Sequence, residues 1–402
     1  MDFVSIFGVI MGKLKVALLV DEYFGGTGTG TVYGGYGFLA RHLIAKHLPN
    51  ENIEVEVLIK KDCSKQRLIP RRYMIDGIKV YRLAAKFMDF LNIRFLKKKN
   101  YDLFLSIEMT THSYRILKTI PNIDKKLLFW VQDPRPDYEW DEINTVKLFP
   151  EKSYWDSNIY QFVHDLWAAG KVSFISQARF LDRKARDLYN LDDKTEIKYL
   201  PNPIEIDHSF DVETHLKKNH IIFLGRIESV KRGWLFCEIA KLMPEYEFFM
   251  LGQSFRQSKK NQSIMNNYLD IPNLHFVGHV EGEKKAQLIK DAKILVNTSI
   301  HEALPISFLE ALSYGTLLVS CRDPDELTSQ FGVFTGTVLG DGFDKVPLFV
   351  DGIRHLMENE PLRRELALKA VNYIKANHSI EDFQKNMQEI IFKLVEETKA
   401  QS

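Results

Sequence analysis

The feature that most constrains this chain is an alternation. Short apolar runs, each followed by a longer amphipathic stretch, recur from residue 15 to residue 358. That pattern belongs to parallel βα units, in which buried strands are joined by crossover helices. In the first half it predicts strands at Lys15–Val20, Val55–Ile59, Leu103–Ile107, Leu127–Val131 and Val172–Ile175. In the second half the corresponding runs are His220–Leu224, Tyr246–Leu251, Leu274–Val277, Ile294–Val296 and Thr316–Ser320. Helical periodicity fits Tyr36–His47, Gln177–Tyr189, Gly233–Leu242, Glu283–Lys290, Ile306–Tyr314 and Asp351–Glu358.

With 402 residues the chain is too long for one compact core and suits two domains. The two series meet near residues 200–219, where Leu200-Pro201-Asn202-Pro203 resists helix and a polar stretch follows. The expected division is 1–207, 208–378 and a last helix at 379–402. That helix has Ser379 as a candidate N-cap and an apolar face of Ile380, Phe383, Met387, Ile390, Ile391 and Leu394, so it should dock.

The formal charge of +1 argues against a nucleic-acid partner, which usually imposes a strong basic excess. The charge is uneven, however. Residues 58–99 carry thirteen Lys/Arg against three acids, either as a solvated surface or as a patch facing an anionic acceptor or membrane. Cys63, Cys237 and Cys321 fit neither a disulfide framework nor a metal site, which points to a reducing cytoplasm. No run approaches the roughly 18–20 apolar residues of a membrane helix. The apolar start Phe3–Met11 lacks the marks of a signal peptide.

Two segments of the second half carry chemistry. His301-Glu302-Ala303-Leu304-Pro305-Ile306 follows a predicted strand and enters a helix, fixing Glu302 and Glu310 eight residues apart. The amides at that helix start suit a phosphate, although an ordinary amphipathic helix with acidic residues near its start reads the same way. Gly225-Arg226 and Lys231 lie in the loop before another helix, with the two cations five positions apart. A guanidinium fork and an ammonium together suit a diphosphate.

Together the two segments resemble the retaining glycosyltransferases of family 4, which have the GT-B fold: α/β, two Rossmann-like parallel-sheet domains facing a cleft. Glu302 and Glu310 match the E-x7-E signature, and Arg226 and Lys231 match the Gly-Arg…Lys loop, with Gly233 one residue later than usual. The resemblance implies that Glu302 contacts sugar hydroxyls, Glu310 holds the ribose, and Arg226 and Lys231 grip the diphosphate. Catalysis would rest on Glu302, Arg226 and Lys231. Donor binding would add Gly225, Leu304, Pro305 and Ile306, with Gly278 and Val280 near the base. The first domain would bind the acceptor and the second the donor.

The first half agrees more loosely. A glycine-rich loop leads to Gly34-Gly35-Tyr36-Gly37, and glycine lets a backbone approach a ligand closely. Gly34 and Gly35 would reach the donor phosphate, and Tyr36 the acceptor. Where the family usually ends a strand with a histidine near the sugar, this chain has Gln132-Asp133 within a Trp/Pro-rich piece that reads equally as a rigid turn. Gln132, Asp133, Tyr36 and His301 are the candidate acceptor or sugar contacts, and Trp130 and Trp140 are candidates to stack on a sugar. Asp323-Pro324-Asp325 reads as a structural loop, and no histidine has a partner at metal spacing.

The resulting expectation is a hexosyltransferase of polysaccharide biosynthesis, using a UDP- or GDP-sugar, a saccharide or lipid-linked acceptor and no metal or other cofactor. It would be cytoplasmic, or peripheral to the inner face of the membrane through 58–99. A nucleotide-sugar epimerase of related fold and a non-catalytic nucleotide-sugar-binding protein are the alternatives, and the oligomeric state is open. An NAD-dependent oxidoreductase is disfavoured because the glycines do not follow the strand directly.

Overall fold

A computed structural model describes residues 13–20, 23, 35–60, 69–84, 86–120, 127–151, 153, 155–254 and 258–400. Gly34, Cys63, the Phe3–Met11 start and residues 61–68 of the basic stretch lie outside these. The chain divides into two compact units. Unit 1 comprises residues up to Pro134, Asp156–Pro203 and the final helix; unit 2 comprises Arg135–Trp155 and Ile204–Ser379.

Unit 1 holds β1 (Leu14–Leu19), β2 (Ile53–Ile59), β3 (Arg71–Ile75), β4 (Ile78–Arg82), β5 (Leu103–Ile107), β6 (Leu127–Val131), β7 (Val172–Ser176) and β8 (Ile197–Tyr199). They form one sheet in the order β3-β4-β2-β1-β5-β6-β7-β8. All neighbours are parallel except the β3–β4 hairpin at the edge. The inner strands are buried on both faces, so their sequences read as continuous apolar runs. The final helix, Ile380–Ala400, packs on unit 1 through Phe383, Met387, Ile391, Leu394 and Val395. The Phe383 ring stacks on buried Trp130 with centroids 5.8 Å apart.

Unit 2 holds β9 (His220–Leu224), β10 (Glu247–Leu251), β11 (Leu274–Gly278), β12 (Ala292–Asn297), β13 (Leu317–Ser320) and β14 (Gly332–Phe334). This sheet is wholly parallel, in the order β11-β10-β9-β12-β13-β14. The chain winds outward from β9 through β10 to β11, then returns to the other side of β9 with β12. The carboxyl ends of β9 and β12 therefore flank a topological switch point, the place where doubly wound sheets bind ligands.

The unit boundary falls at Pro203/Ile204 rather than 207/208, and residues 135–155 cluster with unit 2 instead of staying with their sequence neighbours. The cause is apolar burial: Trp140, Ile143, Val146 and Phe149 join Phe223, Trp234, Leu235, Val338 and Phe349 in the unit 2 core.

Candidate active site at the switch point of unit 2

Two loops build the site. The first leaves β9 at Gly225 and runs through Arg226 into a short 3₁₀ turn, Ser229–Lys231, before the Gly233–Lys241 helix. The second leaves β12 at Asn297 and runs to the Ile306–Ser313 helix. Backbone stitches hold them side by side: Ile300 N donates to Val230 O at 2.8 Å, and Thr298 Oγ1 donates to Lys231 O at 2.8 Å.

That stitching places Lys231 against Glu302. Lys231 Nζ donates to Glu302 Oε1 at 2.5 Å. The same oxygen accepts from Ser299 Oγ at 2.6 Å and Asn297 Nδ2 at 2.8 Å. Burial alone would push the Glu302 carboxyl up. The Lys231 charge and these hydrogen bonds outweigh it and hold the group below the usual carboxylate range. An ammonium has three donors, so Lys231 can serve Glu302 and an anion together.

The other predicted residues of this half sit around the pair but are not all joined to it. Arg226 lies beside Glu228, its Nε 3.6 Å from Oε1. Glu310 takes Lys285 Nζ of the preceding helix as an ion-pair partner. Leu304 is buried, and Pro305 stands at the N-cap position of the Ile306–Ser313 helix. Ile306 thus begins the helix; Phe308 N is taken by Pro305 O at 3.0 Å, and the amides before it stand in the turn that as a rule lacks intrahelical acceptors. Gly225 lies against Gly252: a Cβ on Gly252 would stand 1.8 Å from the Gly225 carbonyl oxygen. Gly252 N in turn donates to Gly278 O at 2.8 Å, which ties the ends of β9, β10 and β11 together, with Val280 buried just beyond.

Two neighbours, Arg232 and Glu139, escaped the sequence reading. Arg232, adjacent to Lys231, is fully buried in left-handed backbone. Its guanidinium donates to Thr298 O at 2.8 Å and Gly340 O at 2.9 Å, and contacts Cys321 Sγ at 3.3 Å. It is a structural cation between loops. His301, expected to line the site, is 4% exposed. Its Nδ1 lies 2.5 Å from Glu139 Oε2. Local sequence gave no signal for Glu139, which is 162 residues away.

In unit 1 the strand ends carry a buried polar cluster. Glu108, just after β5 and in left-handed backbone, accepts from Gln132 N at 3.0 Å, Asp133 N at 2.8 Å, Met109 N at 3.0 Å and Tyr189 Oη at 2.9 Å. Burial pushes its carboxyl up against those donors. Gln132 is 2% exposed, and its side-chain amide exchanges hydrogen bonds with Asn202 at 3.0 and 3.1 Å. Asp133 is half-buried at the rim of the cluster. Gly35, exposed, and Tyr36, half-buried, open the helix that follows β1.

Neither tryptophan candidate offers a ring to a sugar. Trp130 and Trp140 are buried in the cores of units 1 and 2 respectively. Asp323 serves the backbone, accepting from Thr328 N at 2.8 Å and Ser329 N at 3.1 Å. Among the described residues no three His, Cys, Asp or Glu side chains group as metal ligands, and no helix is long and apolar enough to cross a membrane.

Two parallel-sheet α/β units of this topology define the GT-B fold. Solved structures share it. HepE of Anabaena, solved in complex with UDP-glucose, superposes with a TM-score of 0.63 at 12% identity, covering 94% of this chain and all (100%) of that one. Sucrose-phosphate synthase from Thermosynechococcus elongatus gives 0.70 at 12%, covering 95% and 99%. A glycosyltransferase from Rickettsia africae gives 0.65 at 13%, covering 96% and 99%. No curated protein sequence matches the chain at a significant level. Residues 205–373 match the family described as Glycosyl transferases group 1. That match assigns a glycosyltransferase domain to these residues, which lie within unit 2.

Proposed function

We propose that the chain is a retaining, metal-independent hexosyltransferase that takes a sugar from a UDP- or GDP-sugar. The observation that carries this reading is the Lys231–Glu302 pair at the switch point of unit 2, with Arg226 on the same loop and a helix start beside it. Breaking the bond from the anomeric carbon to the diphosphate sends an electron pair to the leaving oxygen. Arg226, Lys231 and the helix amides answer that charge without a divalent ion. Glu302, its Oε1 taken by three donors, offers Oε2 to sugar hydroxyls; Glu310, shared with Lys285, accepts from the ribose. HepE was solved with UDP-glucose, which favours a UDP-sugar here.

The acceptor in this reading is a saccharide, free or lipid-linked, and the work is polysaccharide assembly on the cytoplasmic side of a membrane. The Asp89–Lys99 helix and the turn before it support that placement. Phe87 and Phe90 are 62% and 61% exposed, and Arg94, Lys97 and Lys98 continue the same outward face. Exposed aromatics beside cations suit an anionic bilayer.

A thermal-shift screen with UDP, GDP and ADP, each alone and as a sugar conjugate, tests the proposal, because a ligand of the folded state raises apparent stability. One base class should stand out, and its sugar conjugate should be turned over when saccharide is added. Failure of all three classes to shift the protein would overturn it, as would interconversion of the free nucleotide sugar without transfer.

A further inference from the structure

Residues 135–155 interrupt unit 1 in sequence yet belong to unit 2, and their polar contacts there fall on the two loops of the site and on the loops after β13 and around Gly340. Phe149 O accepts from Ser229 Oγ of the β9 loop. Glu139 meets His301 of the β12 loop at 2.5 Å. Glu142 accepts from Arg322 Nη2 of the β13 loop at 3.0 Å, and that same nitrogen donates to Ile300 O. Thr145 Oγ1 accepts from Gly340 N at 2.8 Å, and Asp341 Oδ1 accepts from Lys147 N and Leu148 N, both at 2.8 Å. Gly340 O in turn binds Arg232, whose Nε reaches Thr298 O. Four loops are therefore joined through one short segment, anchored by Trp140, Ile143, Val146 and Phe149 in the core.

We infer that this segment is a strap that sets the donor loops, and that Glu139, acting through His301, is a positioning residue for Glu302. His301 and Glu302 are consecutive, so the ring fixed by Glu139 fixes the peptide that carries the catalytic carboxylate. Core anchoring alone would need no carboxylate at 139. A buried ionisable group facing a buried imidazole is costly unless the contact is kept. The inference rests on the proposed donor site, because it deepens the role of Glu302 there. Misplacement of a reacting group by about 1 Å costs on the order of 10²-fold in rate.

The experiment uses the full chain and the variants Glu139→Gln, Glu139→Ala, His301→Ala and the Glu139→Ala/His301→Ala double variant. Turnover of the nucleotide sugar selected by thermal shift is measured beside binding of its nucleoside diphosphate alone. Glu139→Ala and His301→Ala should each lower kcat on the order of 10²-fold, with diphosphate affinity within about twofold of wild type. The double variant should be no worse than either single one, and Glu139→Gln, which keeps an acceptor, should recover most of the loss. Losses that multiply in the double variant, or diphosphate affinity that falls in step with kcat, would overturn the inference. Hydrogen exchange of the unliganded chain gives a second readout that needs no nucleotide. Glu139→Ala should speed exchange at residues 297–304 and leave β5–β7 unchanged. Unchanged exchange at 297–304 would show the strap to be inert even if the sugar-transfer reading itself failed.

Discussion

At Glu302 burial and charge pull the carboxyl in opposite directions, and the pair with Lys231 decides the balance. The folded group titrates below its unfolded value of about 4.3. It therefore contributes stability that is fully present above that value and is lost as pH falls through the folded one. In a Lys231→Met protein burial prevails, so the charged carboxylate becomes a liability at neutral pH. Urea titrations should show the gap between wild type and Lys231→Met widest near about pH 7 and closing toward about pH 3; a constant gap would contradict the pairing. Arg232, next in sequence, should behave differently. Arg232→Met strips the guanidinium donors from the Thr298 and Gly340 carbonyls, at about 1–3 kcal/mol for each group left unsatisfied, so it should lower the urea midpoint outright. Sequence alone did not separate these two cations. Adjacent basic residues look alike, and only the left-handed backbone at Arg232 turns one inward.

Elements were legible where they are buried and periodic, and obscure where something else holds them. Strands β1, β5, β6, β7 and β9 lie within a residue or so of their apolar runs. The β3–β4 hairpin was missed because Arg71–Ile75 is a largely exposed edge whose apolar run, Tyr73-Met74-Ile75, is short, even though Asp76-Gly77 is a strong two-residue turn and both residues take positive φ. The three-residue strands β8 and β14 are too short to carry a period. The final helix was legible from its single apolar face. Its docking rests on Phe383 against Trp130, so Phe383→Ala should cost roughly 3–5 kcal/mol, read as a lower midpoint by tryptophan fluorescence. No loss of stability would mean that the stacked pair is incidental.

For the whole molecule, the class of fold followed from the alternation of runs, whereas the partition of residues 135–155 did not. No local pattern tells a chain that one of its βα connections will be buried in the other unit; that depends on which core accepts Trp140 and Phe149. The basic stretch shows the same limit. Lys60, Lys79 and Lys99 face Asp89, Glu54 and Glu56, while Arg94, Lys97 and Lys98 point outward. Only the outward group should matter to a membrane. Co-sedimentation with anionic vesicles should fall steeply for Phe87→Ser/Phe90→Ser and for Lys97→Gln/Lys98→Gln, and for wild type in high salt, where screening shortens to about 3 Å at 1 M; binding that ignores all three would remove this surface from the account. In the proposed donor site, unit 2 would recognise a diphosphate with Arg226 and Lys231. Calorimetric titration of the wild type and Arg226→Ala with a nucleoside diphosphate and with the parent nucleoside tests it most directly. The wild type should prefer the diphosphate strongly, and Arg226→Ala should lose that preference while its nucleoside affinity stays unchanged. An equal preference in both proteins would contradict it.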